Sequence, residues 1–520
     1  MGCSWKEIAT LIAIMLFALG LRLYCSSGFV GLDDAEYARF ARQMAVGAFT
    51  LEGYDGPAVF PLRQGLIFPT SIAFRIFGIS EGSLILYPLF LSILSVSLAY
   101  VCAKALFGPR AGLIAAALWS ILPIEINNAT KLLPDLPAAF YASAAVVSLL
   151  LLLGAHVQSR FPLLGGGMLA GSLFGLSWLS KESLAYFLPF CAAWMVITLK
   201  KNWTRAAMIW GGVAIGSLII LASEMIAYHH LTDDWLFRAH EIERNYRQWE
   251  NGFFAEGSRF GWGEGESYLK ALAKRLFVSG PSMVFLNDQF LFLTLLGMIS
   301  SFHALYWKDR SVLIPALWFF TLFVMFNFSS SSFSSYMPLS LFHRYLYPIA
   351  LPAVVLTSGF IAKLFSRDQN QPTGARAERF FWGTILVIFL LWIGGYNTFQ
   401  NIKGANAQKG WAEDAQAVSH LARPSDRLYA DALSIKALEF YWRYPEKMNA
   451  VDFEGMSSAG DIAPGSYLLF NSNAINWLEK NAGMWLSKSP QYRRPDFHSN
   501  LPAAFKKIWQ NDHAALYRIE

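Results

Sequence analysis

Ser83-Leu-Ile-Leu-Tyr-Pro-Leu-Phe-Leu-Ser-Ile-Leu-Ser-Val-Ser-Leu-Ala-Tyr-Val-Cys-Ala103 contains no Asp, Glu, Lys or Arg. A helix of about twenty such residues, rising 1.5 Å per residue, spans a hydrocarbon core of roughly 30 Å. The apolar residues fill the block instead of forming one stripe, so the medium around it is lipid and not water. Comparable blocks recur on both sides of it. The sequence predicts about eleven membrane helices, near 8–24, 82–106, 111–126, 136–154, 163–179, 183–199, 206–228, 289–307, 311–328, 344–365 and 380–399. Composition agrees: 55% of the 520 residues are hydrophobic and 15% charged, against about a quarter charged in ordinary soluble domains. A soluble enzyme is excluded. The net charge of +6 is spread over short loops, which gives no reason to expect a nucleic-acid partner.

The placement of that charge predicts orientation. Lys6, Lys104, Arg110, Arg160, Lys200, Lys201, Arg205, Lys308, Arg310, Lys363, Arg367, Arg376 and Arg379 fall on one set of connections, the pattern of cytoplasmic loops. The N-terminus is then cytoplasmic, and the first block reads as an uncleaved signal anchor. The opposite set contains long loops at 25–81 and 229–288 and a serine-rich one at 329–343. Residues 1–401 read as the transmembrane domain. Residues 402–520 are less apolar, with strand-like runs at Arg427–Ala430 and Ser466–Phe470 around a helix-like Ala432–Tyr441. They predict a small extracytoplasmic α/β domain, whose tryptophans, Trp411 among them, are expected to pack its core. The four cysteines (Cys3, Cys25, Cys102, Cys191) have no metal or disulfide spacing.

Ionisable residues gather at the outer ends of helices. Gly31-Leu-Asp-Asp-Ala-Glu-Tyr-Ala-Arg-Phe-Ala-Arg-Gln-Met44 predicts a short amphipathic helix at the membrane surface, its apolar face formed by Tyr37, Phe40, Ala41, Met44 and Ala45. Asp33 is expected to cap it, with Glu36 three residues on. A cap also holds a carboxylate rigidly, as a general base requires. Asp135, in Thr130-Lys-Leu-Leu-Pro-Asp-Leu-Pro137, is the expected cap of the next outer helix, and Glu125 lies just before it. Trp178-Leu-Ser-Lys-Glu-Ser183 puts Lys181 in a tight outer turn, able to snorkel or to hold a phosphate. His343, Arg344 and Tyr345 follow in Leu341-Phe-His-Arg-Tyr-Leu-Tyr-Pro348, where outward basic residues ask for an anionic partner. His229-His230-Leu-Thr-Asp233-Asp234 lacks the spacing that puts two histidines on one helix face. The aromatics and arginines after it, Trp235 and Arg238 among them, suit an interfacial segment closing over a lipid.

These marks resemble the GT-C glycosyltransferases, specifically bacterial relatives of protein O-mannosyltransferases and of the aminoarabinose transferase that modifies lipid A. Asp33-Asp34-x-x-Tyr37-Ala38 resembles the family's opening motif, Asp135 its second-loop acid, Leu179-Ser-Lys181 its Leu-Thr/Ser-Lys turn, and Arg344-Tyr-Leu-Tyr-Pro348 its Arg-Tyr-x-x-Pro element. The family's Lys-Pro-Pro element is replaced by Phe60-Pro-Leu-Arg-Gln-Gly-Leu66, where Arg63 could supply the charge. The resemblance implies a GT-C fold and transfer of a sugar from a polyprenyl-phosphate donor to a glycan, lipid or protein acceptor. It implies Asp33 as base; Asp34, Asp135 and Glu125 as positioning groups for acceptor or metal; and Arg63, Lys181, His343, Arg344 and Tyr345 on the donor phosphate. Asp33 and Asp135 could share a divalent metal (Mg, Mn or Zn). Three other readings stand beside this one: a lipid or glycan transporter or flippase, for which Glu224 is the best membrane-embedded acid; a ligase or polymerase using a diphosphate-linked donor; and a non-catalytic scaffold.

Overall fold

The computed structural model describes residues 4–51, 59–155, 159–250, 273, 297–302, 305, 310–329, 343–365, 373–453, 456, 461–485 and 501–520. The bundle comprises α1 (Trp5–Tyr24), α2 (Asp33–Ala45), α3 (Gln64–Phe77), α4 (Glu81–Phe107), α5 (Pro109–Ser120), α6 (Pro123–Asn128), α7 (Asp135–Gly154) and α8 (Arg160–Ser180). A 3-10 turn at Glu182–Phe187 leads into α9 (Leu188–Lys201), α10 (Trp203–Thr232) and α11 (Phe237–Glu250). After α12 (Leu313–Phe328), a 3-10 turn at His343–Ile349 enters α13 (Ala350–Leu364), and α14 runs from Thr373 to Ser419.

Among the described residues, seven segments are long and apolar enough to cross a membrane, and Leu313–Phe328 and Phe380–Tyr396 are shorter apolar helices. Exposed large side chains such as Phe90, Leu218 and Ile219 stud them, as expected of a multi-pass membrane protein whose outer surface meets lipid. The helix predicted near 289–307 lies largely outside the described residues. The one predicted over 111–126 is instead two, because Pro123 has no N–H to continue α5. Arg22 fills the break: its Nη1 donates to the carbonyl of Ser120 at 3.1 Å and its Nε to Ser92 Oγ at 2.5 Å.

Local chemistry fixes the ends of the helices. Ser80 and Ser83 form a reciprocal capping box at the start of α4, and Gly108, at φ +90°, ends that helix before Pro109 opens α5. Glycines set a close crossing between α8 and α10. A Cβ on Gly167 or Gly171 would enter the carbonyls of Ile209 or Val213, and one on Gly212 or Gly216 those of Leu164 or Met168. Gly167-x3-Gly171 therefore faces Gly212-x3-Gly216, the small-residue contact by which helices associate in lipid.

The tail carries β1 (Leu428–Ala430), α15 (Ala432–Tyr441), β2 (Ala450–Asp452), β3 (Tyr467–Asn471), α16 (Ser472–Trp485), β4 (Phe505–Gln510) and β5 (Ala514–Ile519). The sheet order is β2-β1-β3-β5-β4, with β1 parallel to both neighbours and β5 antiparallel to β3 and β4. The expected boundary at 401/402 falls inside α14, which continues unbroken from its apolar stretch into the tail. The apolar face of α2 does not lie on a membrane surface. Tyr37, Phe40 and Ala41 are buried in a second core shared with Trp411, Leu438 and Phe440 of the tail, where each large side chain contributes about 2 kcal/mol by burial.

Candidate active site

The connection between α1 and α2 is folded around Asp34. Its Oδ2 accepts from the amides of Val30 (2.6 Å) and Gly31 (3.4 Å), and its Oδ1 from that of Leu32 (2.7 Å). Burial pushes this carboxyl above the ordinary range, against the three N–H groups that favour its charged form. Asp34 is thus the anchor of the loop and is not turned to the other site residues. Asp33 is not the expected cap: α2 begins at Asp33 itself, after Leu32, with no side-chain cap. Glu36 closes no capping box and pairs with Lys436 of the tail at 2.8 Å. The Asp33 carboxylate is left to other partners.

Arg344 meets it, and two further connections extend the group through Asp135 and Lys181. Arg344 Nη2 donates to Asp33 Oδ2 at 2.9 Å, and its Nε lies 3.9 Å from Asp135 Oδ2. Lys181 Nζ donates to Asp135 Oδ1 at 2.5 Å and sits 3.7 Å from the centre of the Tyr345 ring, a cation–π contact. Asp135 is the first residue of α7, with Pro134 at the cap position, so it too is spared from capping. Asp33, Arg344, Asp135 and Lys181 form a chain of alternating charge. Lys131 lies mostly buried beside it, donating to Asn127 Oδ1 at 2.9 Å. Burial pushes its pKa down to about 8; the Asp34 carboxylate opposes that shift and Arg344 adds to it.

The other predicted residues divide. Arg63, buried at the start of α3, makes a two-pronged ion pair with Glu182, one prong at 3.0 Å. Gly65 permits this approach, because a Cβ there would enter Ser180 at the end of α8. Arg63 is therefore paired with a carboxylate, Glu182, that directly follows Lys181 in the chain. Glu125 is not gathered with Asp33 and Asp135. It is fully buried against α1, accepting from Ser92 Oγ at 2.5 Å and lying 3.8 Å from Arg22. The His343 side chain lies outside the described residues, as does the serine-rich stretch at 330–342. Arg238, expected in a segment closing over a lipid, is buried instead: its Nε donates to Glu224 at 2.7 Å and its Nη1 to the Trp178 carbonyl at 3.2 Å.

A divalent metal does not fit the proposed pair. Arg344 stands between Asp33 and Asp135, and among the described residues no three His, Cys, Asp or Glu side chains gather as a ligand set. His229 stacks on Trp235 at 4.1 Å, while Asp234 takes His240 at 2.7 Å.

Sequence reasoning left Glu182, Lys131 and Arg22 without roles. Glu182 had a usable signal: a carboxylate between two apolar helices needs a cation to meet it.

The family described as dolichyl-phosphate-mannose-protein mannosyltransferase matches residues 66–226. An undecaprenyl phosphate-alpha-4-amino-4-deoxy-L-arabinose arabinosyl transferase of Pseudomonas aeruginosa is 24% identical over 252 residues, 48% of this chain and 43% of that protein. The chain thus spans less than half the length of the curated relatives it matches. Among the solved structures that align over nearly the whole chain, two are informative. ArnT from Cupriavidus metallidurans bound to undecaprenyl phosphate aligns with a TM-score of 0.58 at 14% identity, over 99% of this chain and 98% of that one. The chain has the GT-C glycosyltransferase fold. The archaeal oligosaccharyltransferase AglB from Archaeoglobus fulgidus, in complex with an inhibitory peptide and a dolichol-phosphate, shares this GT-C fold at a TM-score of 0.57 and 14% identity, over 94% of this chain and 72% of that one. At these identities the likeness is one of fold, and within the GT-C frame this chain resembles the aminoarabinose transferases.

Proposed function

We propose that the protein transfers a sugar from a polyprenyl-phosphate-linked donor to an acceptor at the outer face of the cytoplasmic membrane. The observation that carries this reading is the meeting of Asp33, Asp135, Lys181 and Arg344 from four separate connections. The names of the similar proteins point to lipid-phosphate carriers. By the distribution of Lys and Arg, the N-terminus faces the cytoplasm and the tail lies outside, as an extracytoplasmic domain following the membrane domain.

The leaving group of such a donor is a phosphate anion, so the reaction needs no strong acid. It needs positive charge on the phosphate and a base for the acceptor. Lys181 and Arg344 supply the charge, with the Tyr345 ring beneath Lys181. Arg344 moves from Asp33 toward the phosphate, and the freed Asp33 carboxylate takes the proton of the acceptor hydroxyl or amine. The acceptor atom bonds to the anomeric carbon as the bond from that carbon to the phosphate oxygen breaks. The electron pair stays on the lipid phosphate, and a single displacement inverts the configuration. Asp135 holds Lys181 and Arg344 in place. Arg63 supports the site through Glu182 and does not touch the phosphate.

Purified protein in lipid, given a radiolabelled panel of polyprenyl-phosphate sugars, tests this. Consumption of one donor that vanishes in a folded Asp33→Asn variant is expected. No consumption of any donor, or full activity in that variant, overturns the reading and favours a transporter or scaffold.

A further inference from the structure

The segment that bears Asp33 is gripped by the tail on both sides of it. Trp411 Nε1 donates to the carbonyl of Val30 at 2.7 Å, and Tyr444 Oη to that of Ala35 at 3.0 Å. Phe29 stacks on Phe440 with ring centres 4.1 Å apart. Gly31, at φ +81°, lets the Trp411 indole approach where a Cβ would stand 3.2 Å from Nε1. Trp411 and Tyr444 are both buried. Arg443 and Tyr444 adopt left-handed backbone conformations, at φ +60° and +54°. Two consecutive non-glycine residues in that region are strained, and strain of this kind persists only where its surroundings hold it.

A tail that only shielded the site or bound the acceptor would have no need to bond carbonyls three residues before and two residues after Asp33. We propose that Trp411 and Tyr444 are positioning residues, through which the tail sets the Asp33 carboxylate for its partner and substrate. This rests on Asp33 acting as the base.

The test uses the full chain in lipid nanodiscs, with Trp411→Phe, Tyr444→Phe and the double variant; Tyr444→Phe loses only the hydroxyl donor, while Trp411→Phe loses the indole donor together with part of a buried ring. Trp442→Phe serves as a control within the tail, since it loses a 3.3 Å bond to the Ser419 carbonyl. Displacing a catalytic group by about 1 Å lowers rates on the order of a hundredfold. The single variants are expected to lower kcat by about ten- to a hundredfold, with KM for the lipid donor within about twofold. Amide exchange over residues 29–36 is expected to quicken in them and to stay unchanged in Trp442→Phe. Unchanged exchange in both single variants overturns the proposal, as does a kcat loss equally large in Trp442→Phe. If wild type consumes no donor, the transferase reading is what fails, and exchange over 29–36 alone decides whether the tail holds the segment.

Discussion

Arg344 donates to Asp33 across 2.9 Å although the two are 311 residues apart in sequence. The same guanidinium reaches toward Asp135 through Nε, so one side chain of the His343–Ile349 turn addresses carboxylates on two other connections. A lysine carries one compact charge and cannot span both.

Arg344→Lys is therefore expected to keep the charge and lose the geometry. Transfer assays should show kcat/KM down by about a hundredfold, in the range lost when a preorganised electrostatic donor is removed. A loss under about threefold would mean that charge alone suffices.

Glu182→Gln removes the carboxylate that Arg63 is committed to. Breaking a fully buried pair costs about 3–5 kcal/mol, and because the Glu182 side chain retains 21% exposure the expected loss here is about 2 kcal/mol. Unfolding of Glu182→Gln, Arg63→Met and the double variant in detergent measures it. The double variant should recover part of the loss, and strict additivity would show that the pair is not coupled.

How far the sequence discloses this molecule depends on the kind of feature. The membrane helices are legible, because apolar blocks such as Ser83–Ala103 are governed by lipid thickness alone. Asp33, Asp135, Lys181 and Arg344, which the structure brings together, also stand out in sequence as ionisable groups at the ends of apolar helices. Their pairing is not, since nothing in the order of residues says which cation meets which acid. Asp33 and Asp34 look interchangeable in sequence; only the three amides around Asp34 separate the anchored carboxylate from the one that meets Arg344. Glu125 was misassigned because its partner, Arg22, lies inside a predicted span. The continuity of α14 was hidden by a change in composition that alters the helix's surroundings and leaves its backbone intact.

Lys131 gives a pH signature. Its folded pKa is lowered to about 8 from the usual value of 10.5, so between those pH values the unfolded chain holds more protons than the folded one. Stability then rises with pH across that window, and the penalty is fully present below about pH 8. Lys131→Met should flatten this part of the profile and stabilise the protein at pH 7, as followed by thermal unfolding between pH 7 and 10.5. A slope over that window as steep as in wild type would contradict the assignment.

Gly171→Val tests the crossing of α8 and α10. The new side chain would enter the Val213 carbonyl, and backbone on both sides leaves no flexible group to yield. Overpacking of this kind costs about 1–3 kcal/mol, so a drop in thermal midpoint is expected, while Gly211→Val, facing open space, should do little. Equal effects at the two positions would argue against a glycine-dependent contact.

The alternation of Asp33, Arg344, Asp135 and Lys181 bears on how a donor arrives. Two negative and two positive groups cancel, and the adjoining Arg63–Glu182 pair adds nothing to the sum. Seen from beyond a Debye length the cluster exerts almost no pull on an anion, unlike clefts lined with one sign of charge that accelerate capture. For the lipid-linked donor proposed above, encounter is then governed by lateral diffusion within the bilayer, and raising ionic strength should leave the rate of donor capture nearly unchanged.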